Sequence, residues 1–250
     1  MNVYESILER RRKGPLHMTL LDPDKQTPPD AASLSSEAAS AGTDAIMVGG
    51  STGVTQDKVD ATVLAIKEAA KLPVILFPAS AANLSPHADA LYFMSLLNSR
   101  DPRLIVGEQR LAAPIVKAWG LEAIPMAYLV VEPGMRAGEV GDADLISRKN
   151  PIVAVQYALA AQMLGMKLVY LEAGSGAPRP VGAELIRACR IAVPGLPLFV
   201  GGGIKTPAQA GAARAAGTDF VVVGTAVEEG GVPGELRAMA LAARGPGTTR

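Results

Sequence analysis

Short runs of apolar, strand-forming residues recur eight times along the chain: Leu16–Leu21, Ala45–Val48, 74–77, 90–94, 124–131, 168–171, 198–200 and Phe220–Val223. Most are followed by Gly, Pro, Asp or Ser and then by a stretch with helical patterning, at 29–40, 55–70, 105–119, 151–165, 182–191, 207–216 and 234–243. Strands that alternate with helices build parallel βαβ units. Eight such units in 250 residues predict a single (β/α)8 TIM barrel over residues 1–244. A doubly wound open sheet is the alternative. Residues 245–250 read as a disordered tail.

The rhythm breaks once. Residues 78–88 separate the third and fourth runs and include Pro78, Pro86 and Asn83. Two prolines in so short a span leave no room for an ordinary crossover helix. The third helix is therefore expected to be missing or replaced by irregular chain.

Composition narrows the function. The 24 Lys and Arg balance the 24 Asp and Glu, so no general attraction to nucleic acid or an anionic surface is expected. Hydrophobic residues make up 49% of the chain, too many for a disordered one. A single cysteine, Cys189, forms no internal disulfide or thiolate cluster, which favours a reducing, cytoplasmic setting. The longest charge-free stretches, 72–88 and 150–166, are too short or too broken to span a bilayer. The charged segment 9–13 reads as a solvated helix face, and His17 as a satisfied histidine within the first strand.

In a parallel barrel the chemistry lies at the carboxyl ends of the strands. Those ends carry Asp22-Pro23-Asp24-Lys25, Gly49-Gly50-Ser51, Glu132-Pro133-Gly134, Glu172-Ala173-Gly174-Ser175-Gly176, Gly201-Gly202-Gly203 and Gly224-Thr225. Glycines after strands six, seven and eight suit a phosphate resting on backbone N–H groups, which a side chain would block. Asp22 reads either as a turn-capping acid or, with the Ser51 hydroxyl, as a Mg²⁺ site completed by substrate phosphate. Glu172, a charge at the top of an apolar run, reads as a general base or hydroxyl-binding group, with an ion pair as the plainer alternative.

His17-Met18-Thr19-Leu20-Leu21-Asp22-Pro23-Asp24-Lys25, Met47-Val48-Gly49-Gly50-Ser51, Phe93-Met94-Ser95-Leu96-Leu97-Asn98-Ser99, Val131-Glu132-Pro133-Gly134, Tyr170-Leu171-Glu172-Ala173-Gly174-Ser175-Gly176 and Val200-Gly201-Gly202-Gly203-Ile204 together resemble the geranylgeranylglyceryl phosphate synthase family, over about residues 15–230. One branch of that family has Lys where this chain has Leu20; Leu20 and the Glu-Pro-Gly loop are similar to the second branch. The resemblance implies a barrel with a modified third helix. It also implies transfer of a geranylgeranyl group from its diphosphate to the 3-hydroxyl of sn-glycerol 1-phosphate, the first ether-bond step of archaeal-type lipid synthesis.

By match to the family, Asp22 and Ser51 would hold Mg²⁺ and Glu172 would be catalytic. Glycerol phosphate would lie on Tyr170, Leu171, Glu172, Ala173, Gly174, Ser175, Gly176, Gly202, Gly203, Gly224 and Thr225. A homo-oligomer and transient contact with a membrane surface are further implications. A sugar-phosphate isomerase or synthase with acids after strands one and five, a relative using another prenyl length, and a non-catalytic phosphoester-binding module are the competing readings.

Overall fold

The computed structural model describes residues 2–49, 53–224 and 233–245 of the chain. Eight parallel strands close a barrel in chain order: β1 (Leu16–Leu21), β2 (Ala45–Val48), β3 (Val74–Leu76), β4 (Ala90–Leu96), β5 (Glu122–Val130), β6 (Leu168–Glu172), β7 (Leu198–Gly201) and β8 (Phe220–Val223). The helices are α1 (Val3–Arg11), α2 (Pro28–Ala41), α3 (Gln56–Ala69), α4 (Glu108–Trp119), α5 (Met135–Val140), α6 (Pro151–Met163), α7 (Ala183–Ala192), α8 (Pro207–Ala215) and α9 (Pro233–Arg244). The open-sheet alternative is excluded by the β1–β8 pairing.

Local chemistry sets the helix ends. Thr27 and Thr206 form capping boxes with Asp30 and Gln209, each followed by a proline in the first turn, where its missing N–H costs nothing. Gly42 ends α2 at φ 102°, in the left-handed region. A helix was not anticipated at α5.

Side-chain alternation divides the core into two layers. Met18, Met47, Ile75, Tyr92, Met126, Tyr170, Phe199 and Phe220 fill the barrel interior. Leu21, Val48, Leu76, Leu91, Val169, Leu171 and Val200 face the helices. Ile7 of α1 joins the inner cluster, so α1 closes the amino end of the barrel.

At that end, acids tie the strands together. Asp44, Asp89 and Asp219 accept from the backbone N–H of His17, Val74 and Leu198 at 3.0, 2.8 and 2.8 Å. Each also pairs with a cation: Asp44 with Arg10 and Arg244, Asp89 with Lys67, Asp219 with Arg11 and Arg190. His17 is buried, as the sequence suggested; its Nδ1 is 2.9 Å from Thr43 Oγ1, but its Nε2 has no hydrogen-bond partner. Burial pulls its pKa down to about 4, so it stays neutral.

The third crossover has no α-helix, as expected from its prolines; only a single 3₁₀ turn, Ala81–Asn83, interrupts irregular chain. Two side chains strap that turn down. Glu108 accepts from Ala81 N–H at 2.9 Å, and Asn83 Nδ2 donates to Val54 O at 2.6 Å. β3 is also short: its pairing with β4 ends at Leu76–Leu91, whereas β4 runs on to Leu96. The uncovered edge of β4 is met by side chains instead. Ser95 Oγ donates to Ile105 O at 2.6 Å, and Gln109 Nε2 donates to Met94 O. Both partners lie on or beside a π-helical turn, Arg103–Gly107, that leads into α4.

Candidate active site

The short β3 and the absent third helix leave a gap in the barrel wall. A cavity of about 390 Å³ runs through it. At one end lie Asp22, Lys25, Glu172, Ser175 and Gly224, at the carboxyl ends of the strands. From there it passes Phe77, Tyr92 and Met94, which point into the barrel, and reaches Leu91, Phe93, Leu84 and Ala112 of the outer layer. The mouth is polar, and the remainder is mainly apolar, with Ser80, Glu108 and Gln109 among its walls.

Glu172 ends β6 and points inward, while Leu171 before it faces the helices. The carboxyl group is buried. Oε1 accepts from Gly174 N–H at 2.6 Å, and the hydroxyls of Tyr128 and Tyr170 donate to the same carboxylate. Burial raises its pKa above the usual carboxylate range, and these three donors partly offset that rise. The same burial, with Glu172 beside them, holds both tyrosines well above the ordinary phenol range, so they stay protonated donors. A carboxylate has about four lone-pair sites. Three are used, which leaves one for a substrate hydroxyl.

The glycines after β7 have a packing reason as well as a binding one. A Cβ on Gly201 would lie 1.9 Å from Tyr170 Oη, and one on Gly202 would lie 2.2 Å from Glu172 Oε1. Only glycine lets β7 approach the Glu172–Tyr170 pair. Gly174, Gly176, Gly202 and Gly203 all have φ between 70° and 99°, whereas Gly224 does not have a positive φ. The site residues anticipated from sequence therefore divide. Glu172, Ser175 and Gly224 line the cavity. Tyr170 lies in the barrel interior beneath Glu172, and the side chains of Leu171 and Ala173 lie in the outer apolar layer. Ser51 and Thr225 fall outside the described residues.

Asp22 is buried, lines the cavity mouth and accepts from Asp24 N–H at 3.0 Å. Among the described residues, no three His, Cys, Asp or Glu side chains sit close enough to hold a metal by themselves. One hard carboxylate at a polar cavity mouth fits Mg²⁺, which keeps waters and takes substrate phosphate oxygens. It does not fit a metal needing an all-protein cage.

Glu132, the second acid of the isomerase alternative, does not line the cavity; it accepts from Arg148 N–H at 3.0 Å and Ser147 Oγ at 3.3 Å. Polar wall residues that were not singled out from sequence include Ser80, Glu108, Gln109, Tyr128 and Arg136. For Tyr128 a signal existed, because strand alternation puts it on the same face as Met126 and opposite Tyr170 across β5 and β6.

The profile of the PcrB family matches residues 5–243. Geranylgeranylglyceryl phosphate synthase of Thermococcus gammatolerans is 54% identical over 229 residues, covering 92% of this chain and 90% of the relative. The enzyme of the same name from Methanothrix thermoacetophila is 53% identical over 218 residues, covering 87% of this chain and 86% of the relative. Among solved structures, (S)-3-O-geranylgeranylglyceryl phosphate synthase of Thermoplasma acidophilum, in complex with sn-glycerol-1-phosphate, superposes with a TM-score of 0.95 at 46% identity, over 98% of this chain and 99% of that one. The tryptophan synthase alpha chain of Legionella pneumophila, at 18% identity and a TM-score of 0.65 over the full length of both chains, shares the fold alone. With a cavity of this build, a family profile covering nearly its whole length and relatives above 50% identity, the chain belongs to the PcrB family, that of the geranylgeranylglyceryl phosphate synthases.

Proposed function

We propose that this chain joins a prenyl group, geranylgeranyl in the first instance, to the 3-hydroxyl of sn-glycerol 1-phosphate and releases diphosphate, with Mg²⁺ required. The observation that carries this reading is the continuity of one cavity: an acid-lined mouth at Asp22 and Glu172 opens directly into an apolar groove where the third helix would stand. The names of the relatives agree with it.

The chemistry follows from the residues. The hydroxyl oxygen of glycerol phosphate attacks C1 of the prenyl diphosphate, the C1–O bond to diphosphate breaks, and the hydroxyl proton passes to Glu172. Burial suits Glu172 to that task, because it raises the proton affinity of the carboxylate. Tyr128 and Tyr170 fix its orientation. The allylic carbon gains positive character as its bond breaks, so alignment matters more than base strength. The backbone of 174–176 and 202–203 would receive the glycerol phosphate. Asp22, with Ser51, would hold Mg²⁺, which offsets charge building on the leaving diphosphate. The prenyl tail would lie between Leu84, Leu91 and Phe93, shielded from water.

The setting we assign is cytoplasmic, in keeping with one buried free thiol at Cys189 and with described helices that are all too short or too polar to cross a membrane. Contact with a membrane surface would be transient, during uptake of the lipid substrate or release of the product. Product formation tests the whole reading. The purified chain with Mg²⁺, sn-glycerol 1-phosphate and geranylgeranyl diphosphate is expected to yield the ether, with loss of turnover in EDTA and little product from the enantiomeric phosphate. Absence of ether product under these conditions would overturn it.

A further inference from the structure

We infer that Lys25 and Arg136 form a two-sided cationic clamp for the diphosphate group of the prenyl substrate, a role that rests on the transferase reading above. Both side chains line the cavity. Lys25 sits in the turn after β1, where its N–H donates to Asp22 O at 2.9 Å. Arg136 sits on α5, after β5. In a closed barrel of eight strands in chain order, β1 and β5 are diametrically opposed. The two cations therefore approach the one cavity from opposite sides of the barrel.

The placement of Arg136 is fixed from both ends of its helix. Gly134 N–H donates to Ala173 O at 3.1 Å, and a Cβ on Gly174 would lie 2.4 Å from Gly134 O, so the start of α5 is pressed against the Glu172–Gly176 segment. At the other end, Ser99 Oγ donates to Gly141 O at 2.6 Å, and Arg100 N–H donates to Asp142 O at 2.8 Å. Met135, the first residue of the helix, and Asp142, just beyond it, have φ of 48° and 40°, a conformation that costs energy and is kept where the surroundings hold it. α5 is thus a short, anchored platform, and Arg136 is its one basic residue.

Charge supplies the second half of the argument. Among the described residues, three acids line the cavity: Asp22, Glu108 and Glu172. Glu108 is already paired with Arg103 at 3.3 Å, and Glu172, ionised as the base, adds negative charge rather than offsetting any. One Mg²⁺ beside one Asp22 carboxylate leaves a single net positive charge, less than the negative charge of a diphosphate monoester at neutral pH. Lys25 and Arg136 supply the balance. A planar guanidinium matches two phosphate oxygens at once, and the ammonium adds a point charge from across the mouth.

The test uses Arg136→Met, Arg136→Lys and Lys25→Met in the full chain, with inorganic pyrophosphate as the probe. Isothermal titration of pyrophosphate with Mg²⁺ is expected to show affinity about tenfold weaker or worse in each Met variant, the loss for one charged contact. Steady-state kinetics should show a matching rise in KM for the prenyl diphosphate, with KM for glycerol phosphate within about twofold of the unmodified chain, and partial recovery in Arg136→Lys. Pyrophosphate binding unchanged in both Met variants would overturn the clamp, and so would an equal rise in both KM values, which marks a structural role. A chain that binds pyrophosphate but makes no ether keeps the clamp and loses the transferase reading. A chain that makes ether, with Met variants that bind and turn over normally, does the reverse.

Discussion

Glu172 is a buried carboxyl group with three hydrogen-bond donors and, among the described residues, no cation at hydrogen-bonding distance. Its neighbours orient it without neutralising it. If it is the base, Glu172→Gln should lower kcat by about 10²–10⁴-fold and leave KM for glycerol phosphate within about threefold. The acidic limb of the kcat profile, expected above the ordinary carboxylate range because the pKa is raised, should vanish with it. The stability effect has the opposite sense. A raised folded-state pKa means the folded chain binds protons more tightly, so stability is lost as pH rises through that range. Glu172→Gln should therefore have the higher Tm at neutral pH, with the gap closing in acid. Equal losses in kcat and affinity would make Glu172 a binding group only. The sequence made Glu172 legible because a charge stood out in an apolar run. It could not show that Gly201 and Gly202 are glycine to make room for Tyr170 and Glu172, since that depends on how closely two strands approach.

At the scale of elements, the strand positions could be read from apolar runs and the missing helix from Pro78 and Pro86, because both signals are local. α5 and the π-helical turn before α4 could not. They are held by distant partners, Gly174 against Gly134 and Gln109 against Met94, which no local pattern encodes. α6 raises a different matter. Its middle is buried at Ala154, Ala158 and Ala161, yet Ile152 is 63% exposed, Met163 82% and the adjoining Leu164 68%. Large apolar side chains exposed together on one stretch of surface ordinarily mark a contact face. The homo-oligomer that the family resemblance implies would place another copy of this chain on that face. Light scattering should give a mass above one chain, and Met163→Glu with Leu164→Glu should reduce it while the fold persists by circular dichroism; an unmodified chain that runs as a monomer would refute the assignment.

For the whole molecule, the zero net charge and the scarcity of aromatics have specific consequences. In the proposed reading the positive potential for anionic substrates would be local, at Lys25, Arg136, the glycine-rich turns and a metal at Asp22, so that no basic surface would be needed. Six of the few aromatic rings, Phe77, Tyr92, Tyr128, Tyr170, Phe199 and Phe220, form one connected cluster inside the barrel, ending in Phe199 and Phe220 stacked at 4.0 Å. That cluster fills the interior and leaves the gap beside β3 as the way out for a long tail. The central claim is that this gap holds the prenyl chain. The most direct measurement is the profile of ether formation against prenyl diphosphates of increasing length, for the unmodified chain and for Ala81→Trp, whose indole would fill the groove. The account predicts that Ala81→Trp shifts the preferred length downward at unchanged KM for glycerol phosphate. An identical length profile in a folded Ala81→Trp variant would contradict it.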